Sequence, residues 1–256
     1  MSFLIGLTAG AFGGFLGIGG GVIMIPLMVH FLRLQQREAH ATSLAALVLT
    51  GVIGATTYAL NGSVDYIAAL LICVSAIGTA RIGALCCHRI ADLKLRKFLG
   101  GFMLFVVLIM LIKPYIAPSH APLVGLLRII ALLGIGLFTG FISGMLGVGG
   151  GTIMIPGMVL ITGMAQITAQ GSSLLAMIPI GIAGALTHWQ LGNVRRNILP
   201  GLFGGITIGS LTGAAVAQFV PEMLLKGAFV ILLSWLGIRY LRSQAPATCE
   251  PESDEA

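Results

Sequence analysis

Two stretches of backbone, rather than any acidic or nucleophilic side chain, carry the chemistry of this sequence. FLGIGGGVIMIP begins at Phe15 and MLGVGGGTIMIP at Met145, and between Gly10 and Val29 thirteen of twenty positions are identical to those 130 residues later. Three consecutive glycines break a continuous helix, because glycine loses the most backbone entropy on folding and moves freely to positive φ. The helix that resumes after such a break begins with unpaired N–H groups, which carry partial positive charge and can hold an anion. Gly19, Gly20 and Gly21, with Gly149, Gly150 and Gly151, are therefore candidate donors to a small anionic solute. Gly17, Pro26, Gly147 and Pro156 are read as structural break positions. Close helix packing is the competing role for glycine, and it suits the four-residue spacing of Gly6, Gly10 and Gly14 and of Gly136, Gly140 and Gly144. A nucleotide-binding loop is excluded, since no G-K-[ST] follows.

Few polar side chains lie within the apolar stretches. Ser43 and Ser173, each preceded by a hydroxyl residue (Thr42, Ser172), open the next helix of each half, where they could donate to an anion or cap the helix. Arg81 stands alone in the stretch from Ile67 to Cys87, where it could balance an anion or snorkel to the surface. Thr57-Tyr58 and Thr187-His188, with Trp189 and Gln190, read as interfacial anchors. His30 and His40 could titrate near neutral pH, although solvated interfacial histidines are commoner. Asp65 and Asp92 fall at segment ends, so no acidic proton relay is expected. Cys73, Cys86, Cys87 and Cys249 have no metal spacing and read as packing residues; neither a metal nor a cofactor is expected.

These groups need an apolar solvent around them, and the composition supplies it. Of 256 residues, 57% are hydrophobic and 9% charged, against about 25% charged in soluble domains. A water-soluble globule is excluded. The net charge of +6 comes from Lys and Arg scattered singly at the ends of apolar runs, which suits topology anchoring rather than nucleic acid. Apolar runs fall at about 2–32, 41–60, 64–88, 98–113, 123–161, 171–189, 198–219 and 224–238, judged against the roughly 20 residues of a crossing. The first run of each half is too long for one crossing and is divided at the glycines into two half-helices. Lys and Arg alternate between connections so that equivalent connections fall on opposite sides. The expected fold is thus an all-α polytopic membrane protein of two inverted-topology repeats. They would cover 1–113 and 123–243, with a Pro-rich linker at 114–122, a disordered acidic cytoplasmic tail at 244–256 and both termini cytoplasmic.

The doubled motif, with Ser-Leu following about seventeen residues later in each half, resembles the TauE/SafE family of membrane transporters along essentially the whole chain. That resemblance implies movement of small sulfur-containing anions such as sulfite or organosulfonates, driven by an ion gradient. It maps onto Gly17, Gly19, Gly20, Gly21, Pro26 and Ser43, then Gly147, Gly149, Gly150, Gly151, Pro156 and Ser173. The expectation is a secondary transporter of the cytoplasmic membrane working by alternating access, in contact with lipid, without nucleic acid. The coupling ion (H+ or Na+) stays open, and a homodimer is compatible with the sequence. The rivals are a passive anion channel on the same paired breaks and, more remotely, a hydrolase using Ser172 or Ser173 with His188.

Overall fold

A computed structural model describes residues 1–86, 92–116, 123–146, 149–190, 192 and 194–242. Gly147, most of the expected linker and the acidic tail lie outside these residues. Among the described residues there is no strand. In the first half α1 spans Ser2–Leu16, α2 Gly21–Phe31, α3 Gln36–Leu60, α4 Tyr66–Cys86 and α5 Asp92–Ile116. In the second, α6 spans Gly125–Leu146, α7 Gly151–Gly157 with a π-helical turn at Met158–Thr162, α8 Gln166–Gln190, α9 Leu199–Phe219 and α10 Glu222–Leu241. Among the described residues six helices are long and apolar enough to cross a membrane.

Local chemistry fixes the ends. A capping box opens α3, with the Gln35 N–H donating to Glu38 Oε2 at 3.3 Å, which satisfies donors that a helix start leaves unpaired. Asp65 opens α4 in the same way, its Oδ1 accepting the Ala68 N–H at 2.9 Å. α1 stops at Gly17, which adopts φ 72°.

Both first runs are interrupted at the glycines, as the sequence predicts. The pieces are unequal, however. α6 has 22 residues, about 33 Å at 1.5 Å per residue, so it is long enough for a full crossing and is not a half-helix. The glycines end it only after the whole of the run from Gly125. α5 likewise continues to Ile116, past the expected boundary at 113.

The halves exchange partners. α1 lies along α9 in the same direction, with Gly10 against Ile206 and Gly14 against Ser210 and Ala214; α6 lies along α4, with Gly136 against Ile72, Gly140 against Ala76 and Gly144 against Ala80. Each contact of the second set is the first set with the halves interchanged. With Gly6, which lies against the Leu202 backbone, these six glycines therefore pack backbone on backbone. α3 and α8 run antiparallel through the centre, with Gly51 at Ile178 and Gly181 at Val48. Large apolar side chains such as Ile67, Leu70, Val74, Leu126, Leu127 and Ile130 are exposed on α4 and α6, as a lipid-facing surface requires.

Candidate functional site at the paired helix breaks

The first break folds back on the helix it leaves. Gly17, Gly19 and Gly20 have φ of 72°, 80° and 77°, values that cost a side-chain-bearing residue about 1–2 kcal/mol each. This conformation brings the Gly19 N–H to Gly13 O at 3.4 Å and sets Gly20 against the Ala9 carbonyl. The Ile23 and Met24 N–H groups then donate to Gly20 O at 3.1 and 2.9 Å, which starts α2. The second break repeats the turn. Gly149 and Gly150 have φ of 87° and 71°, and the Ile153 and Met154 N–H groups donate to Gly150 O at 2.9 and 3.0 Å. Gly150 faces Thr139 and Ser143, which occupy the positions of Ala9 and Gly13. Two of the six candidate glycine amides are already engaged by backbone: Gly19 with Gly13, and Gly151 with Gly149 O at 2.8 Å.

The two breaks touch. A Cβ on Gly151 would lie 2.7 Å from Ile18 Cα and 2.8 Å from Gly17 O, so the two backbone segments meet there with no side chain between them. Gly19 and Gly149 both abut the same two side chains, Leu47 of α3 and Met177 of α8. Leu47 and Met177 are themselves 130 residues apart, so one equivalent pair closes the junction from both helices. Gly19, Gly20, Gly21, Gly149, Gly150 and Gly151 are all buried.

Polar side chains surround this junction, and the sequence alone singled out only one of them. The Ser173 hydroxyl lies 2.7 Å from Gly17 O and 2.8 Å from Gln170 O, so its proton serves the carbonyls that the end of α1 and the first turns of α8 present. Tyr58 Oη lies 3.1 Å from Gly14 O and 3.1 Å from Gln170 Oε1. Tyr58 is completely buried, which corrects its reading as an interfacial anchor: its hydroxyl serves carbonyls left open where α1 stops. The Oε1 end of the buried Gln170 carboxamide engages Tyr58, while Nε2 has no partner. Thr139 and Ser143 face Gly150 through Cγ2 and Cβ, and their hydroxyls are also buried without partners. Departure from repeat symmetry was the one available signal for these groups. Thr139 and Ser143 replace Ala9 and Gly13, and Gln170 replaces His40.

The other candidates lie elsewhere or have different partners. Ser43 donates to His40 O at 2.8 Å. Thr42 Oγ1 accepts the Arg195 N–H at 3.2 Å and Ser172 Oγ accepts the Asp65 N–H at 2.8 Å, two equivalent ties from the start of one helix to the connection beside it. Next to these ties Arg195 pairs with Glu38 at 2.8 Å, and Asp65 pairs with Arg128. Arg81 is exposed on α4, so the structure does not bring it to the buried breaks. Pro26 lies inside α2 and Pro156 inside α7, where each removes a helix donor. Trp189 is partly exposed with the Arg196 guanidinium 4.3 Å from its ring centre, in keeping with an interfacial position. Ser173→Ala is expected to leave the Gly17 carbonyl unpaired and to destabilise the protein by about 1–3 kcal/mol. A lower thermal unfolding midpoint in detergent is the check.

A multi-pass helical membrane protein with two interrupted helices meeting at its centre is the class this geometry defines. The chain belongs to the family described as Sulfite exporter TauE/SafE, whose profile matches residues 1–240, and it is accordingly a TauE/SafE family membrane transporter. It is 26% identical to the "Probable membrane transporter protein YunE" of Bacillus subtilis (strain 168), over 94% of this chain and 98% of that one. It is 28% identical to a "Probable membrane transporter protein" of Xylella fastidiosa (strain Temecula1 / ATCC 700964), over 90% and 88%. The "Probable membrane transporter protein MJ0441" of Methanocaldococcus jannaschii is 23% identical, over 95% and 86%. No solved structure gives a significant match.

Proposed function

We propose that this protein is a secondary transporter of small sulfur-containing anions, sulfite or an organosulfonate, across the cytoplasmic membrane. The solute binds at the junction of the two breaks, held by the glycine amides that remain unengaged, and moves by alternating access between two inverted repeats. The contact of Gly151 with Gly17 and Ile18 carries this reading: it sets both interruptions around one buried point, where broken backbone needs a reason to exist. The antiparallel run of α3 against α8, its equivalent in the other half, supports inversion.

A carrier is favoured over a passive channel because Leu47 and Met177 close the junction, so passage requires the helices to move. Counterflow in proteoliposomes separates the two. Labelled sulfite uptake is expected to saturate and to rise when unlabelled sulfite is placed inside. Uptake that ignores the internal solute indicates a channel. Failure with sulfite, sulfate, thiosulfate, taurine and sulfoacetate alike removes the anion reading.

A further inference from the structure

Among the residues whose burial is described no Lys, Arg, Asp or Glu side chain is buried. The side chains that flank the breaks include three with an unpartnered buried group: Thr139 and Ser143, one helical turn apart on α6 beside Gly150, and Gln170 beside Gly17. All are fully or almost fully buried, at 0%, 1% and 0% exposure. Gln170 flanks Gly17 and the two hydroxyl residues flank Gly150, so both of the breaks that meet carry such groups. Buried polar groups in folded proteins are ordinarily satisfied, so orphans on both breaks call for a partner that comes and goes. Each can donate a hydrogen bond, and none carries charge.

That combination sets a charge preference. The cost of stripping water from an ion rises with the square of its charge, so a dianion costs about four times as much as a monoanion of equal size. Attraction to fixed dipoles and neutral donors rises only in proportion to the charge. With no buried cation among the residues whose burial is described to close the gap, the second charge is a net loss. We propose that the junction takes singly charged oxoanions and rejects doubly charged ones, and that Thr139, Ser143 and Gln170 are the side chains that read them. This rests on the anion transport proposed above and narrows its substrate class.

The test is counterflow of labelled methanesulfonate and of labelled sulfite into proteoliposomes holding the purified full chain. Each is competed at one fixed pH by unlabelled methanesulfonate, which always carries one charge, and by sulfate, which carries two. Methanesulfonate is expected to compete at concentrations at least about tenfold lower than sulfate. Removing donors to a charged acceptor with Thr139→Val and Ser143→Ala together should weaken methanesulfonate about tenfold. Thr139→Ser keeps a hydroxyl and should retain binding, which separates a lost hydrogen bond from lost packing. If the double variant does not insert, Ser143→Ala alone carries the comparison. Sulfate competing as well as methanesulfonate overturns the charge selection while transport stands. Unchanged competition in the hydroxyl variants overturns their assignment. No counterflow of either labelled solute sinks the underlying transport reading instead.

Discussion

Gly20→Leu and, separately, Gly150→Leu are expected to lower solute flux about a hundredfold while the protein still inserts and purifies as a single species. Two costs combine at each site. The backbone sits at φ 77° and 71°, which costs a leucine about 1–2 kcal/mol. The new Cβ also collides with the Ala9 carbonyl at Gly20, and lies 2.6 Å from Thr139 Cγ2 at Gly150. Relief of the collision pushes the break away from its counterpart, and about 3 kcal/mol of lost solute stabilisation corresponds to the hundredfold. Gly62→Ala is the control. Gly62 has φ 68° but nothing within 4 Å of a Cβ, so the backbone strain is present without displacing the junction, and flux should remain. Proteoliposome uptake normalised to inserted protein measures all three, and full flux in either leucine variant would count against the junction as the solute site.

The second large effect lies outside the site. Gly140→Leu should prevent recovery of folded protein, because a Cβ there would meet the Ala76 carbonyl and Thr79 Oγ1, with Ala76 Cα at 2.6 Å. Overpacking a core typically costs about 1–3 kcal/mol, and here the obstruction is helix backbone, which cannot rotate away as a side chain does. α4 and α6 would have to separate. Gly134→Leu on the same helix has nothing within 4 Å and should leave the protein intact. A monodisperse peak on size exclusion for Gly140→Leu would show that the helices tolerate separation.

Much of this was legible in the sequence because duplication prints each feature twice. The breaks, the small-residue stripes and the crossing segments all follow from glycine spacing and hydropathy, and the structure bears these out. The lengths were less legible: hydropathy alone does not say where in a run from 123 to 161 the glycines fall relative to the bilayer, and α6 proves to be a full-length helix. The polar surroundings of the junction were mostly hidden. Tyr58 and Gln170 are 112 residues apart in sequence and meet only through the antiparallel packing of α3 on α8, which no local pattern encodes. Ser173 is legible because it is repeated at Ser43. Thr139 and Ser143 are not, because the other half carries Ala9 and Gly13 at their positions and duplication marks only what the halves share.

The exchange of partners between halves also governs how the molecule is made. α1 leaves the ribosome well before the helix against which its glycines pack, α9, which begins only at Leu199. For most of synthesis that glycine face must rest against lipid or an insertion factor, and the contact that finally covers it closes a very long loop, which is slow. Truncation before α9 would therefore yield no working half. It would leave an unmatched helix in the bilayer, a substrate for the proteases that clear unassembled membrane chains.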